Sequence, residues 1–145
     1  MDISKKNYKS VIDDLKVETT SKYQPDGNNT YCNIFAQDVC SDYGMPLPSG
    51  SCATMLNALK GNNTPHWYSV NYSDAQARAN QGYPTIGITS DHVVVIYPSG
   101  NTPASVSDLD MSMSGYACYN NKKITWAWTK DALPNVRFYS WYEKE

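Results

Sequence analysis

Cys32 and His92 are the residues whose type and setting could do chemistry. Cys32 opens the amphipathic run Cys32-Asn33-Ile34-Phe35-Ala36-Gln37-Asp38-Val39, just after a loop holding Pro25, Asp26, Gly27, Asn28 and Asn29. A helix N-terminus carries partial positive charge and unpaired N–H groups, which stabilise a thiolate and lower a cysteine pKa. The N–H groups of Cys32 and Asn33 would also point outward, where they can serve an oxyanion. His92 follows the short Ser90-Asp91 turn at the head of the apolar run Val93-Val94-Val95-Ile96. Brought together, a thiol and an imidazole make a nucleophile and its general base. Each has an ordinary alternative: a cysteine in an apolar pattern is commonly a small core residue, and a histidine before a strand commonly an edge residue. The only other histidine, His66, sits in Thr64-Pro65-His66-Trp67-Tyr68, where it and Trp67 could line a substrate cleft.

The elements that must position this pair can be read from periodicity. Tyr8, Val11, Ile12 and Leu15 recur at helical spacing, which predicts a helix over 7–16. Thr30 is the expected N-cap of a second helix ending near Tyr43 and stopped by Gly44, with Cys32, Phe35, Val39 and Tyr43 on one face. A third helix is expected from Cys52 to Leu59 behind Ser51, and a fourth from Asp74 to Gln81, stopped by Gly82. The texture then changes. Residues 83–89 and 92–97 read as two strands joined by the Ser90-Asp91 turn, 106–113 alternates weakly, and Ile124 to Trp128 and Val136 to Tyr142 read as later strands. Trp126, Trp128, Trp141 and Tyr142 alternate there, serving the core or, for an exposed ring, stacking on a sugar or peptide. Helices first and antiparallel strands afterwards is an α+β architecture, expected as a single domain over residues 1–145.

Composition narrows the function classes. The chain of 145 residues carries a net charge of -2, and its basic clusters are no larger than Lys5-Lys6 and Lys122-Lys123, which argues against a nucleic-acid partner. No apolar run approaches the ~20 residues that span a bilayer, so no membrane role is expected. Met1-Asp2-Ile3-Ser4-Lys5-Lys6 lacks the apolar stretch of a secretory signal, which implies synthesis in the cytoplasm. The aromatics are 12 Tyr and 4 Trp against 2 Phe, a bias that suits surfaces with one dry and one wet side, whether a groove or a core edge. Cys32, Cys40, Cys52 and Cys118 show no CxxC spacing, and with two histidines and no HExxH there is no convincing zinc site. No cofactor is expected. A Cys40–Cys52 bridge and buried free thiols are the alternatives for the remaining cysteines.

The segment Cys32-Asn33-Ile34-Phe35-Ala36-Gln37-Asp38-Val39, following Tyr23-Gln24-Pro25, resembles the nucleophile segment of small bacterial and phage cell-wall amidases of the NlpC-type and CHAP-type, papain-like superfamily. The run from Asp74 to Pro84, with its Asn80-Gln81-Gly82 turn, leads to His92-Val93-Val94-Val95-Ile96-Tyr97-Pro98 in the order those proteins use. The resemblance spans about residues 23–100 and rests on the ordered combination. It implies a papain-like fold in which a cysteine-bearing helix packs on a central antiparallel sheet bearing the histidine. It also implies hydrolysis of a peptidoglycan amide through a Cys32 acyl-enzyme with His92 as base.

Two positions depart from or extend that pattern. Asp91 stands where family members usually carry glycine. The residue that orients the histidine must come from the following strand, where Asp108, Asp110, Ser112 and Ser114 are candidates and Asn101 an outside one. Asp110 is preferred because a carboxylate best stabilises an imidazolium. Gln24 would correspond to the glutamine that donates to the oxyanion, or else is a solvent-exposed loop residue; Asp38 is expected to brace a neighbouring loop. Lytic chemistry without a signal peptide suggests a phage endolysin or a secreted antibacterial toxin, acting in the periplasm or on the cell wall after export or lysis. A toxin would require an immunity protein that plugs the Cys32/His92 cleft. The competing readings are a non-catalytic module binding cell wall or a partner protein, and an acyltransferase or deamidase on the same fold.

Overall fold

The computed structural model describes residues 7–61 and 64–142; the stretch Met1 to Lys6, read above for a signal, lies outside them. Four helices, α1 (Tyr8–Asp14), α2 (Cys32–Asp42), α3 (Cys52–Lys60) and α4 (Tyr72–Asn80), accompany six strands. The strands are β1 (Trp67–Val70), β2 (Thr85–Ile88), β3 (Val93–Ile96), β4 (Asp110–Met113), β5 (Tyr119–Lys123) and β6 (Arg137–Trp141). They form one sheet in the order β1-β6-β2-β3-β4-β5, and every pairing is antiparallel. The α+β reading therefore holds. No helix among the described residues is long and apolar enough to cross a membrane.

Helix starts follow their capping chemistry, with one exception. Asn7, Ser51 and Asn71 accept the backbone N–H of Ser10, Thr54 and Asp74 respectively, which satisfies one donor at the head of α1, α3 and α4. α2 begins at Cys32 with Tyr31 in the cap position and no side-chain cap, so the expected Thr30 cap is not made. Its first backbone bond runs from Phe35 N to Tyr31 O, which leaves the preceding N–H groups at the helix head outside the intrahelical ladder.

The middle of the sheet is dry on both faces. Every residue of β2, β3 and β4 is buried, and successive residues point to opposite faces, so both sides must be covered. α2 packs against β3 with Cys32, Phe35, Ala36, Val39 and Cys40 buried. β2 and β3 meet through the expected turn, in which Thr89 N donates to His92 O at 2.9 Å. At the other end of that hairpin the Tyr8 hydroxyl is wedged between the strands. It donates to Ile96 O at 2.9 Å and accepts from Thr85 N at 3.2 Å. Burial pushes the pKa of this phenol up, and the nearby Cys40 adds to the rise.

One strand expectation is corrected, and two strands, β1 and β5, were not expected. β1 and β5 carry no apolar alternation strong enough to read, since β5 is the polar edge strand Tyr119-Asn120-Asn121-Lys122-Lys123. Residues 124–128 are not a strand: the chain buries Ile124 and then closes a helical turn, with Trp128 N donating to Ile124 O at 3.2 Å. Alternating Ile124, Trp126 and Trp128 thus reflects one anchor and two rings released from the sheet.

Tyr8→Phe removes the hydroxyl while leaving Ile96 O and Thr85 N buried, which should cost about 1–3 kcal/mol. Urea unfolding should show a lower midpoint with an unchanged slope; an unaltered midpoint would remove Tyr8 as the link between α1 and the hairpin.

Candidate active site

The head of α2 meets the head of β3, and this brings Cys32 and His92 together. The Cys32 thiol is 6 % exposed, so only a favourable set of donors can keep it charged there. Three are present. Cys52 lies with its Sγ 3.4 Å from the Cys32 Sγ and is the largest influence lowering the Cys32 pKa. His92 and the Val93 backbone, close to the sulfur, act in the same direction. Burial opposes all three, yet the Cys32 pKa lies well below the ordinary cysteine range, which makes Cys32 the more acidic thiol of the pair. Cys52 is held as the thiol, because its hydrogen bond to Cys32, its own burial, and the charges of Cys32 and Asp91 all push its pKa up.

Cys52 opens α3, and its approach is built by the side chains of α2. Asn33 Nδ2 donates to Gly50 O at 3.1 Å, and Gln37 Nε2 donates to Gly50 O at 3.2 Å and to Pro48 O at 3.3 Å. These bonds clamp the segment before α3 to the flank of α2 and carry Cys52 to Cys32. Asn33 thus contributes its side chain to the scaffold, while its backbone N–H stays at the helix head with that of Cys32. The Cys40–Cys52 bridge does not form. All four cysteines are free, and Cys40 is sealed in the core on the buried face of α2.

His92 is half-buried and held by weak, mostly apolar contacts. Its Nε2 stands 3.3 Å from Met113 Sδ, and its ring meets the Trp128 ring edge-on at 5.2 Å. Gly115 leaves room for it, since a Cβ there would come within 3.3 Å of both His92 Cε1 and Met113 Cε. A thioether therefore occupies the position where a carboxylate was expected.

Asp110 is at the opposite end of the ladder. The β3–β4 register pairs Ile96 with Met111, and Tyr97 N donates to Asp110 O, which puts Asp110 roughly 17 Å along the strand direction from His92. Its carboxylate accepts from Ser99 Oγ at 2.6 Å and pairs with Lys123 at 3.0 Å, a structural role. The other candidates are likewise engaged. Ser112 donates to Asn120, Ser114 to Tyr23 O, and Asn101 to Asp108 O.

The remaining expectations divide. Gln24 is not at the thiol; its amide nitrogen donates to Val17 O and Thr20 O at 2.9 and 3.1 Å and braces the loop ahead of α2. Asp38 braces that loop as expected, accepting from the Tyr23 hydroxyl at 2.6 Å and pairing with Lys22 at 2.8 Å. His66 and Trp67 belong to the far edge of the sheet. His66 Nδ1 bonds Tyr142 O and its ring stacks on Trp141, while Trp67 is buried and donates to Pro46 O. Neither lines the cleft at His92.

That cleft has a volume of about 690 Å³ and reaches from Thr30 and His92 to Tyr116, Trp126 and Trp128. Tyr116 and Trp126, at 75 % and 56 % exposure, are the large apolar side chains left open among the described residues, and both lie on it. Among the described residues no cluster of three or more His, Cys, Asp or Glu could hold a metal ion. His92 lines this open cleft, and the arrangement sets an acidified thiol behind it at a helix head whose first N–H groups lie outside the intrahelical ladder. Comparison of the chain with protein-family models and with curated proteins finds no match.

A lowered pKa means the thiolate persists as pH falls and is lost only below the ordinary cysteine range. Iodoacetamide labelling of Cys32 should therefore change little between pH 8 and 6, where an ordinary cysteine loses about a hundredfold of its thiolate. Cys52→Ala removes the largest lowering influence and should move the onset of Cys32 labelling to higher pH; an unshifted onset would refute the thiol–thiolate bond.

Proposed function

We propose that this protein is a cysteine hydrolase that cleaves an amide bond in bacterial peptidoglycan through a Cys32 acyl-enzyme, with His92 as general base. The observation that carries the proposal is the meeting of Cys32, its pKa held below the ordinary cysteine range, and His92 at the uncapped head of α2, with His92 lining an open cleft. The papain-like reading of the fold is supported by the same order of parts: a cysteine-bearing helix, then an antiparallel sheet whose third strand follows the histidine.

In this mechanism the Cys32 sulfur attacks the scissile carbonyl, and the oxyanion faces the N–H groups of Cys32 and Asn33. His92 delivers a proton to the departing amine, then takes one from the water that resolves the thioester. The substrate assignment rests on the resemblance of residues 23–100 to cell-wall amidases. Tyr116 and Trp126 favour it, because exposed rings along a cleft suit a sugar face or a stem peptide. A phage endolysin or a secreted antibacterial toxin is the setting that fits lytic chemistry, and in the toxin case an immunity protein would occupy this cleft.

Purified sacculi provide the test. Cys32→Ala should abolish digestion, and His92→Ala should slow it by at least about a hundredfold. Asp110→Asn should leave the rate unchanged while lowering the thermal midpoint, since its partners are Ser99 and Lys123. Full digestion by the Cys32→Ala protein would sink the proposal, and masses of the released muropeptides separate hydrolysis from acyl transfer.

A further inference from the structure

Nucleophile, base and oxyanion donors account for one thiol, yet two are present at the site. Cys32 and Cys52 are both buried, both at the first residue of a helix, and their sulfurs are 3.4 Å apart. A disulfide of about 2.05 Å requires the sulfurs to close by roughly 1.3 Å from this contact. The clamp from Asn33 and Gln37 to Gly50 keeps Cys52 in place throughout, so the partner is pre-positioned rather than recruited. Cys40 lies on the buried face of α2, and Cys118 donates to Tyr23 O at 3.1 Å, so neither competes at the head of α2.

We infer that Cys32 and Cys52 form a reversible disulfide that switches the nucleophile off under oxidising conditions, with Cys52 as the resolving thiol. The inference concerns the same site as the proposed hydrolase, and only its effect on turnover rests on that reading. A hydroperoxide is the oxidant. The Cys32 thiolate attacks one peroxide oxygen; the S–O bond forms, the O–O bond breaks, and the departing oxygen leaves as an alcohol or water after taking a proton. Two electrons have passed from sulfur to the peroxide. The Cys52 sulfur then attacks the Cys32 sulfur, the S–S bond forms, and the hydroxyl leaves as water with the Cys52 proton. An external dithiol returns two electrons and restores both thiols.

Order is built into the pair. The Cys32 thiolate is the first attacker because it is the charged member. The strongest influence holding Cys52 protonated is its bond to that thiolate. Once Cys32 becomes a neutral sulfenic acid, that influence is gone, and Cys52 is released to act as a nucleophile. The second step is thus enabled by the first.

The test uses the full chain treated with hydrogen peroxide and read by intact mass and peptide mapping under native conditions. The expected product has lost two hydrogens, maps to Cys32–Cys52, no longer alkylates at Cys32, and recovers on addition of dithiothreitol. Addition of one or more oxygens at Cys32 without that loss, or a disulfide between any other pair, would overturn the inference. Cys52→Ser should instead accumulate two oxygens at Cys32 irreversibly; reversible recovery by that variant would also overturn it. Should Cys52→Ser fold poorly, the mapping of the unmodified sequence still decides. A chain that forms this disulfide yet never digests sacculi would refute the hydrolase and leave the switch standing. One that digests sacculi but gains only oxygens would do the reverse.

Discussion

The packing of α2 on β3 is the constraint from which the rest of the site follows. β3 is buried on both faces, so the helix that covers it has little freedom to slide without exposing Phe35 or Val39. The axial position is further pinned ahead of the helix. The Tyr23 carbonyl accepts from Ser114 Oγ at 2.6 Å and Cys118 Sγ at 3.1 Å, and the Tyr23 ring meets Phe35 edge-on at 5.2 Å. The loop before α2 is thereby tied to the β4–β5 end of the sheet, on the same side as the β2–β3 turn. A helix start and a strand start are held at one level, so Cys32, the first residue of α2, and His92, just ahead of β3, become part of one site. Positional precision of this kind comes from rigid elements rather than from the loops that join them.

The electrostatics of the pair differ from what a carboxylate-assisted histidine would give. A carboxylate behind the imidazole would favour its charged form directly. Here Met113 sulfur and the Trp128 ring edge offer only weak support to His92, and the stabilisation is moved to the thiolate side. Cys52, His92 and the Val93 backbone all act on the sulfur. Because the site is largely desolvated, each of these donors counts for more than it would in water. The uncapped start of α2 belongs to the same logic: a Ser or Asp cap would consume the N–H groups that a developing oxyanion needs.

How much of this was legible in the sequence depends on the range of the signal. Local patterns carried the four helices, the β2–β3 turn and the Cys32–His92 pair, because spacing of 3.6 or 2 and a two-residue turn are written in neighbouring residues. β1 and β5 were illegible, since edge strands pair through the backbone and need no apolar alternation. The orienting residue was misplaced because its position depends on register, and one ladder end cannot be told from the other without knowing that Ile96 faces Met111. Cys52 did carry a readable sign, a cysteine directly after a Ser cap. Only the fold, through Asn33 and Gln37 gripping Gly50, says that this second helix head faces the first.

The two ends of the β3–β4 ladder show what separates a structural polar cluster from a reactive one. At the far end every buried polar group is answered: Gln76 donates to Tyr97 O and accepts from Asp110 N, the Tyr97 hydroxyl donates to Asp13, and Asp110 is met by Ser99 and Lys123. Satisfied networks of this sort rigidify a fold and leave nothing over for a ligand. At the near end the acceptors and donors are mismatched by design of position: a thiolate in place of a thiol, a histidine backed by sulfur, and helix N–H groups without a cap. That unfinished valence is what makes the near end chemically useful. It also carries a liability, because the strongest influence lowering the Cys32 pKa is itself a thiol, 3.4 Å away. The contact that makes Cys32 acidic is the same one that sets a second thiol beside it.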